Sequence, residues 1–107
     1  MKDEKVYIEQ MLDSVAKIEA FTRDMKKEDF MEDAKTQSAV IMQLAVIGEL
    51  VKKISLKTME SSDIPWKDIA GFRDRAIHHY FGMDLNVIWD TVLMDVPVLK
   101  VELKKLS

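Results

Sequence analysis

Ten of the thirteen residues from Ala39 to Val51 are apolar, and only Gln43, Gly48 and Glu49 interrupt the run. At helical spacing such a segment avoids water over nearly its whole circumference, which a single packed face cannot satisfy. It must be the central helix of a bundle or give one side to a second subunit. Ala45 and Gly48 are small enough to allow close approach of a neighbouring backbone. The segment is too short to cross a membrane, which takes about 20 apolar residues.

The rest of the chain reads as helices around this one. Residues 3–25 place Ile8, Met11, Leu12, Val15, Ile18 and Met25 at three- and four-residue steps, an amphipathic helix. Lys26 to Asp29 breaks the pattern, and a second helix is predicted from there to about Lys57, with acids suited to its positive end. Ser61-Ser62-Asp63-Ile64-Pro65 forms the main break, with a proline suited to a first helical turn. A third helix is predicted from Trp66 to Phe81, with a bend possible at Gly71, and Gly82 is suited to closing it. Asp84 can cap a fourth helix running from 85 to about 105, in which Pro97 predicts a kink or break.

No stretch alternates with a two-residue period, and three glycines and two prolines are too few for a string of hairpins. The expectation is one all-α domain over residues 1–107, an up-and-down bundle of four main helices whose third is open to splitting. At 107 residues such a domain buries only about two-thirds of its unfolded surface, so dimerisation is a natural supplement. Cysteine is absent, which removes disulfides, thiol nucleophiles and Cys-ligated zinc. The N-terminus carries alternating charge and no apolar run, so a cytoplasmic protein without membrane contact is expected. A net charge of −3 argues against broad adhesion to nucleic acid but leaves room for a local phosphate site.

The chemistry-bearing residues concentrate in Gly71-Phe-Arg-Asp-Arg-Ala-Ile-His-His-Tyr80, which holds both histidines of the chain. An imidazole moves protons near neutrality and a guanidinium binds phosphate with planar geometry. Asp74 and His78 are four apart on a helix, so the carboxylate can fix the imidazole tautomer and favour its charged form. Arg73 and Tyr80 share a face, whereas Arg73 and His78 point roughly 140° apart at 3.6 residues per turn. Either the arginine wraps, the helix distorts, or two copies pool the residues across a two-fold axis. Arg75 reads as surface charge, Trp66 and Phe72 as core anchors, and the eight methionines as gap-filling core. No metal site is expected, since adjacent histidines diverge and no carboxylate pattern completes a ligand set. Glu49, set in an apolar run, should have a basic partner such as Arg73 or Arg75.

Read as R-x-x-x-x-H-x-Y, residues Arg73, His78 and Tyr80 match the signature of the HepT-like branch of the HEPN superfamily of small all-α proteins. Asp74 supplies the polar residue usual after that arginine. Ile64-Pro65-Trp66-Lys67-Asp68-Ile69, Tyr80-Phe81 with Asp84, and Gln43-Leu-Ala-Val-Ile-Gly-Glu49 also resemble that family's pattern, which extends from about Asp29 to Trp89. The resemblance implies a homodimeric toxin that cleaves RNA, a tRNA or mRNA, without metal or other cofactor, in a cleft between subunits. Its partner would be a minimal nucleotidyltransferase antitoxin. Arg73 would bind phosphate, His78 would act as general acid or base with Asp74 in support, and Tyr80 would accept AMP from the partner. His79 is a second candidate proton carrier. The alternative is a non-catalytic nucleotide-binding or adaptor subunit using the same arginine and histidine.

Overall fold

The computed structural model of the chain describes residues 4–79 and 84–107, the side chains of Arg75, His78 and His79 excepted. The described residues form helices and connecting turns, with no strand among them. Helix α1 (Lys5–Phe21) turns Ile8, Met11, Val15 and Ile18 into the core at the expected spacing. It stops short of the predicted Met25. The Thr22 hydroxyl donates to the Ile18 carbonyl at 2.8 Å at the helix end, and Asp24 adopts φ 60° in the turn that Met25 N–H closes on Thr22 O, a left-handed conformation that Asp tolerates better than most residues.

The predicted helix from the acidic cluster to Lys57 is four elements. Helix α2 (Lys27–Met31) is one short piece, and Asp33 then restarts the chain by accepting from the Thr36 backbone N–H at 3.0 Å and its hydroxyl at 2.7 Å. Gln37 donates to the carbonyls of Phe30 and Met31, at 2.9 and 3.1 Å, so the break is satisfied from within the next helix. Helix α3 (Ala34–Leu50) carries the apolar run and tightens into a 3-10 turn at Val51–Lys53. Ile54 is extended, and Ser55 caps helix α4 (Leu56–Glu60) by accepting from the Thr58 N–H. Glu4, at the start of α1, accepts from the Ser55 backbone N–H and from the Ser55 and Thr58 hydroxyls. The Thr58 hydroxyl, and then the Ser55 N–H, hold the Glu4 carboxyl below the usual range.

Helix α5 (Trp66–His79) runs through Gly71 without a break. It buries Trp66, Ile69, Phe72 and Ala76, so the two aromatic anchors expected in the core are there. The Trp66 indole donates to the Ser62 hydroxyl at 3.0 Å. The predicted closure at Gly82 lies outside the described residues. Asp84 caps helix α6 (Leu85–Asp90), accepting from Asn86 N–H at 2.8 Å as its sequence position suggests.

The break expected at Pro97 falls just before it. Residues Thr91–Asp95 form a π turn, in which Val96 N–H bonds Thr91 O five residues back, and helix α7 (Val96–Leu106) begins with Pro97 in its first turn. Widening the helix there accommodates a residue that lacks an N–H and crowds the carbonyl four positions earlier.

Helix α3 lies between α1 and α5, and α7 packs on α1. The short α2 is pinned by Phe30, whose ring meets Trp89 of α6 at a centroid distance of 5.0 Å. Met11 is a fully buried core methionine, whereas Met42 and Met94 are exposed, so gap-filling describes only part of the set. Among the described residues, no helix is long and apolar enough to cross a membrane. Leu44 is fully buried at the centre of α3. Leu44→Ala is expected to destabilise the fold by about 2–5 kcal/mol through lost burial and the cavity left behind, read from the urea midpoint at unchanged m-value.

Candidate functional site

Arg73 reaches the surface where α5 crosses α3. The contact is close because Gly48 has no side chain: a Cβ there would lie 2.6 Å from the Arg73 backbone nitrogen, 2.9 Å from Arg73 Cβ and 3.1 Å from the Ala70 carbonyl oxygen. The small-residue reading of Gly48 therefore holds, and its neighbour across the interface is the motif arginine itself. The next residue, Glu49, supplies the acid. Its Oε1 accepts from Arg73 Nε at 3.1 Å and its Oε2 from Lys52 Nζ at 2.8 Å.

The expected partner for Glu49 is thus present in Arg73, although the carboxylate is half-exposed rather than enclosed in the apolar run. The Lys52 hydrogen bond is the chief cause that holds the Glu49 carboxyl below its ordinary range, with the Arg73 and Lys52 charges acting in the same direction against desolvation. A depressed carboxylate contributes fully above its ordinary pKa and loses that contribution as pH falls through the lowered value. Acid therefore releases Arg73 from Glu49.

Arg73 stands on the rim of a groove of about 360 Å³ lined by Met42, Ala45, Val46, Leu50 and Ile77, with Glu49 and Lys53 as its other charged residues. Met42 is 61% exposed and Val46 36% exposed. The apolar circumference of α3 is accordingly covered by α1 and α5 on two sides and left open on this one. A guanidinium at the edge of an apolar surface interacts with an anion more strongly than one in open water.

Asp74 is also on the surface, with its Oδ1 3.8 Å from Arg73 Nη1, beyond direct hydrogen-bonding range. The Asp74–His78 contact and the possible role of His79 rest on side chains outside those described, and Tyr80 lies outside the described residues altogether. The backbone of α5 is helical through His79. Arg73 and His78 are therefore separated by roughly 140° around one regular helix, and the guanidinium is drawn toward α3 by Glu49 instead of wrapping back along α5. Among the described residues, no three His, Asp or Glu side chains converge in a way that could hold a metal ion.

Sequence periodicity missed one part of this site. Lys53 follows an apolar helix and looks like ordinary surface charge, yet the 3-10 turn carries it to the groove. Its only sequence signal is the basic pair Lys52-Lys53 directly after the last apolar residues of α3.

The profile of a family described as ribonuclease HepT-like matches residues 11–106. A Thermococcus cleftensis protein named "Probable ribonuclease HepT" is 44% identical over 107 residues, covering 98% of this chain and 96% of the relative. A candidate RNase of Methanocaldococcus jannaschii is 42% identical over 97 residues, covering 90% and 80%. A candidate RNase of Caldanaerobacter subterraneus is 36% identical over 107 residues, covering 99% and 96%. No solved structure matches the chain at a significant level.

The two glycines near Arg73 should respond oppositely to the same change. Gly48→Ala is expected to cost about 1–3 kcal/mol, because the added methyl meets α5 backbone that cannot step aside. Gly71→Ala meets nothing within 4 Å and should stabilise by about 0.5–1 kcal/mol. Urea denaturation of both variants checks the pair.

Proposed function

Because the chain belongs to the ribonuclease HepT-like family, we propose that it is an RNA endonuclease that works without a metal ion, as a homodimer, through Arg73 and His78. The observation that carries this reading is the motif arginine, anchored by Glu49 at the rim of an open apolar groove. A half-exposed guanidinium in this position can take a backbone phosphate by charge-assisted, planar hydrogen bonding.

Cleavage needs a base to remove the proton of a ribose 2′-hydroxyl, a cation to stabilise charge on the phosphate oxygens, and an acid to protonate the departing 5′-oxygen. The 2′-oxygen attacks phosphorus, the P–O5′ bond breaks, and a cyclic phosphate and a 5′-hydroxyl result. In the proposed assignment Arg73 supplies the cation, His78 moves the proton, and Asp74 holds His78 in its useful tautomer. His79 is the reserve proton carrier.

The dimer answers the angular problem on α5. The backbone of α5 is helical through His79 and Arg73 is paired with Glu49 on α3, which supports pooling of the residues between two copies. A second copy docked on the groove side of α3 would cover Met42 and Val46 and bring two copies of the motif to one cleft. Each protomer would be the up-and-down bundle of four main helices expected from the sequence, with α6 and α7 acting as one bent member.

The biological setting proposed is that of a cytoplasmic toxin, acting on tRNA or mRNA and neutralised by a minimal nucleotidyltransferase antitoxin. AMP transferred to Tyr80 would put bulk and negative charge near the motif arginine and compete with substrate phosphate. The net charge of −3 supports a second reading, a nucleotide-binding adaptor without catalysis, whereas the intact motif with Asp74 beside Arg73 supports the enzyme.

Incubation with bulk RNA separates the two readings. His78→Ala and Arg73→Ala are expected to lose cleavage by a factor on the order of 10² or more while keeping the helical circular dichroism spectrum, and EDTA should leave the wild type unchanged. Cleavage retained in either variant, or lost with EDTA, would sink the mechanism. Mass spectrometry of the chain co-produced with its partner should show AMP on Tyr80; an inhibited complex with unmodified Tyr80 would instead mean inhibition by masking.

A further inference from the structure

Arg73 is held by two consecutive residues of α3. Gly48 seats its backbone, and Glu49 takes its side chain by Nε. The ion pair is poorly placed to hold the fold together, since the side chains are 39% and 47% exposed and exposed pairs add little to stability. Its geometry has a different consequence. A guanidinium is a rigid plane, so one bond to Nε, on a backbone that cannot slide, sets the direction in which the rest of the plane faces. The contact uses only one carboxylate oxygen, because Lys52 takes the other at 2.8 Å. Glu49 therefore does not grip Arg73 as a bidentate pair, and Asp74, at 3.8 Å from Nη1, is too distant to occupy the outer edge.

We propose that Glu49 is a positioning residue for RNA cleavage: it holds Arg73 by Nε and presents the outer Nη1–Nη2 edge to the phosphate under attack, with Lys52 keeping Glu49 in place. This rests on the reading of Arg73 as the phosphate ligand. Glu49 touches neither RNA nor the reacting atoms. A negative charge this close to the phosphate site opposes RNA binding, so its contribution has to lie in orientation. Loss of the carboxylate leaves Arg73 able to pair with phosphate in many directions, of which few suit in-line attack. The signature is a fall in kcat without a rise in KM.

The experiment uses the full chain and a short fluorescent single-stranded RNA that the wild type cleaves. Steady-state cleavage by wild type, Glu49→Ala, Glu49→Gln and Arg73→Ala is measured beside urea denaturation of each. Glu49→Ala should lower kcat on the order of 10- to 100-fold, with KM unchanged or lower and nearly wild-type stability. Glu49→Gln, whose amide oxygen still accepts from Nε but whose NH2 cannot accept from Lys52, should recover part of that loss. Glu49→Ala with kcat at or above wild type, a loss confined to KM, or a loss that Glu49→Gln does not restore would each overturn the inference. If Arg73→Ala itself cleaves like wild type, the assignment of the site fails and this inference fails with it. Arg73→Ala inactive beside a fully active Glu49→Ala would overturn the role of Glu49 alone. Should Glu49→Ala prove unfolded, Glu49→Leu of native stability is measured in its place, and wild-type kcat in that variant would overturn the role.

Discussion

Where α3 and α5 cross, the backbone of Arg73 and the carbonyl of Ala70 sit in the space that a side chain at position 48 would occupy. This contact sets the separation of the two helices, and the separation sets everything that follows at the site. It brings Glu49 within a hydrogen bond of Arg73 Nε, and it lets Phe72 and Ile69 bury themselves against the α3 side of the core. A larger residue at 48 would push α5 outward through its backbone, which has no rotamer with which to escape. The fold and the placement of the functional arginine thus share one steric constraint.

That constraint also explains how an apolar helix can carry a charged site. Helix α3 satisfies most of its apolar surface against α1 and α5, while Met42 and Val46 remain at the open groove. Glu49 lies at the boundary between the covered and the open surface. There its charge is partly solvated and is met by Lys52 and Arg73, so the cost of a carboxylate beside an apolar surface is offset by two cations. The same boundary gives Arg73 its exposure. A guanidinium buried deeper would be unavailable to phosphate, and one fully in water would be screened and free to turn.

The chain secures this pair of helices with local polar locks rather than with long regular elements. Asp33, Ser55 and Asp84 each cap a helix start, Asp24 turns the chain after α1 in a left-handed conformation, and Glu4 ties the start of α1 to the start of α4. The π turn at Thr91–Asp95 lets one helical run pass Pro97 and keep Ile88, Trp89, Val96, Leu99 and Leu103 in the core on both sides of it. Each device redirects the chain by a few residues. Together they wrap short segments around α3 instead of letting long helices run past it.

Hydrophobic period and cap chemistry sufficed to read an all-helical chain, the apolar α3, the cap at Asp84, the break near Pro97, the core role of Trp66 and Phe72, and the need of Glu49 for a basic partner. These depend on interactions within a turn or two of helix, which residue spacing encodes directly. The split of the predicted second helix was also written there, in Asp33 three residues before Thr36 and Ser55 three before Thr58, but a continuous apolar rhythm outweighed those signals. Only tertiary packing decided that Glu49 would meet Arg73, that Gly48 would sit against the Arg73 backbone, and that Lys53 would reach the groove. Those outcomes depend on how two helices distant in sequence cross, and the crossing is set by the fit of whole surfaces, which no spacing along one strand of sequence contains.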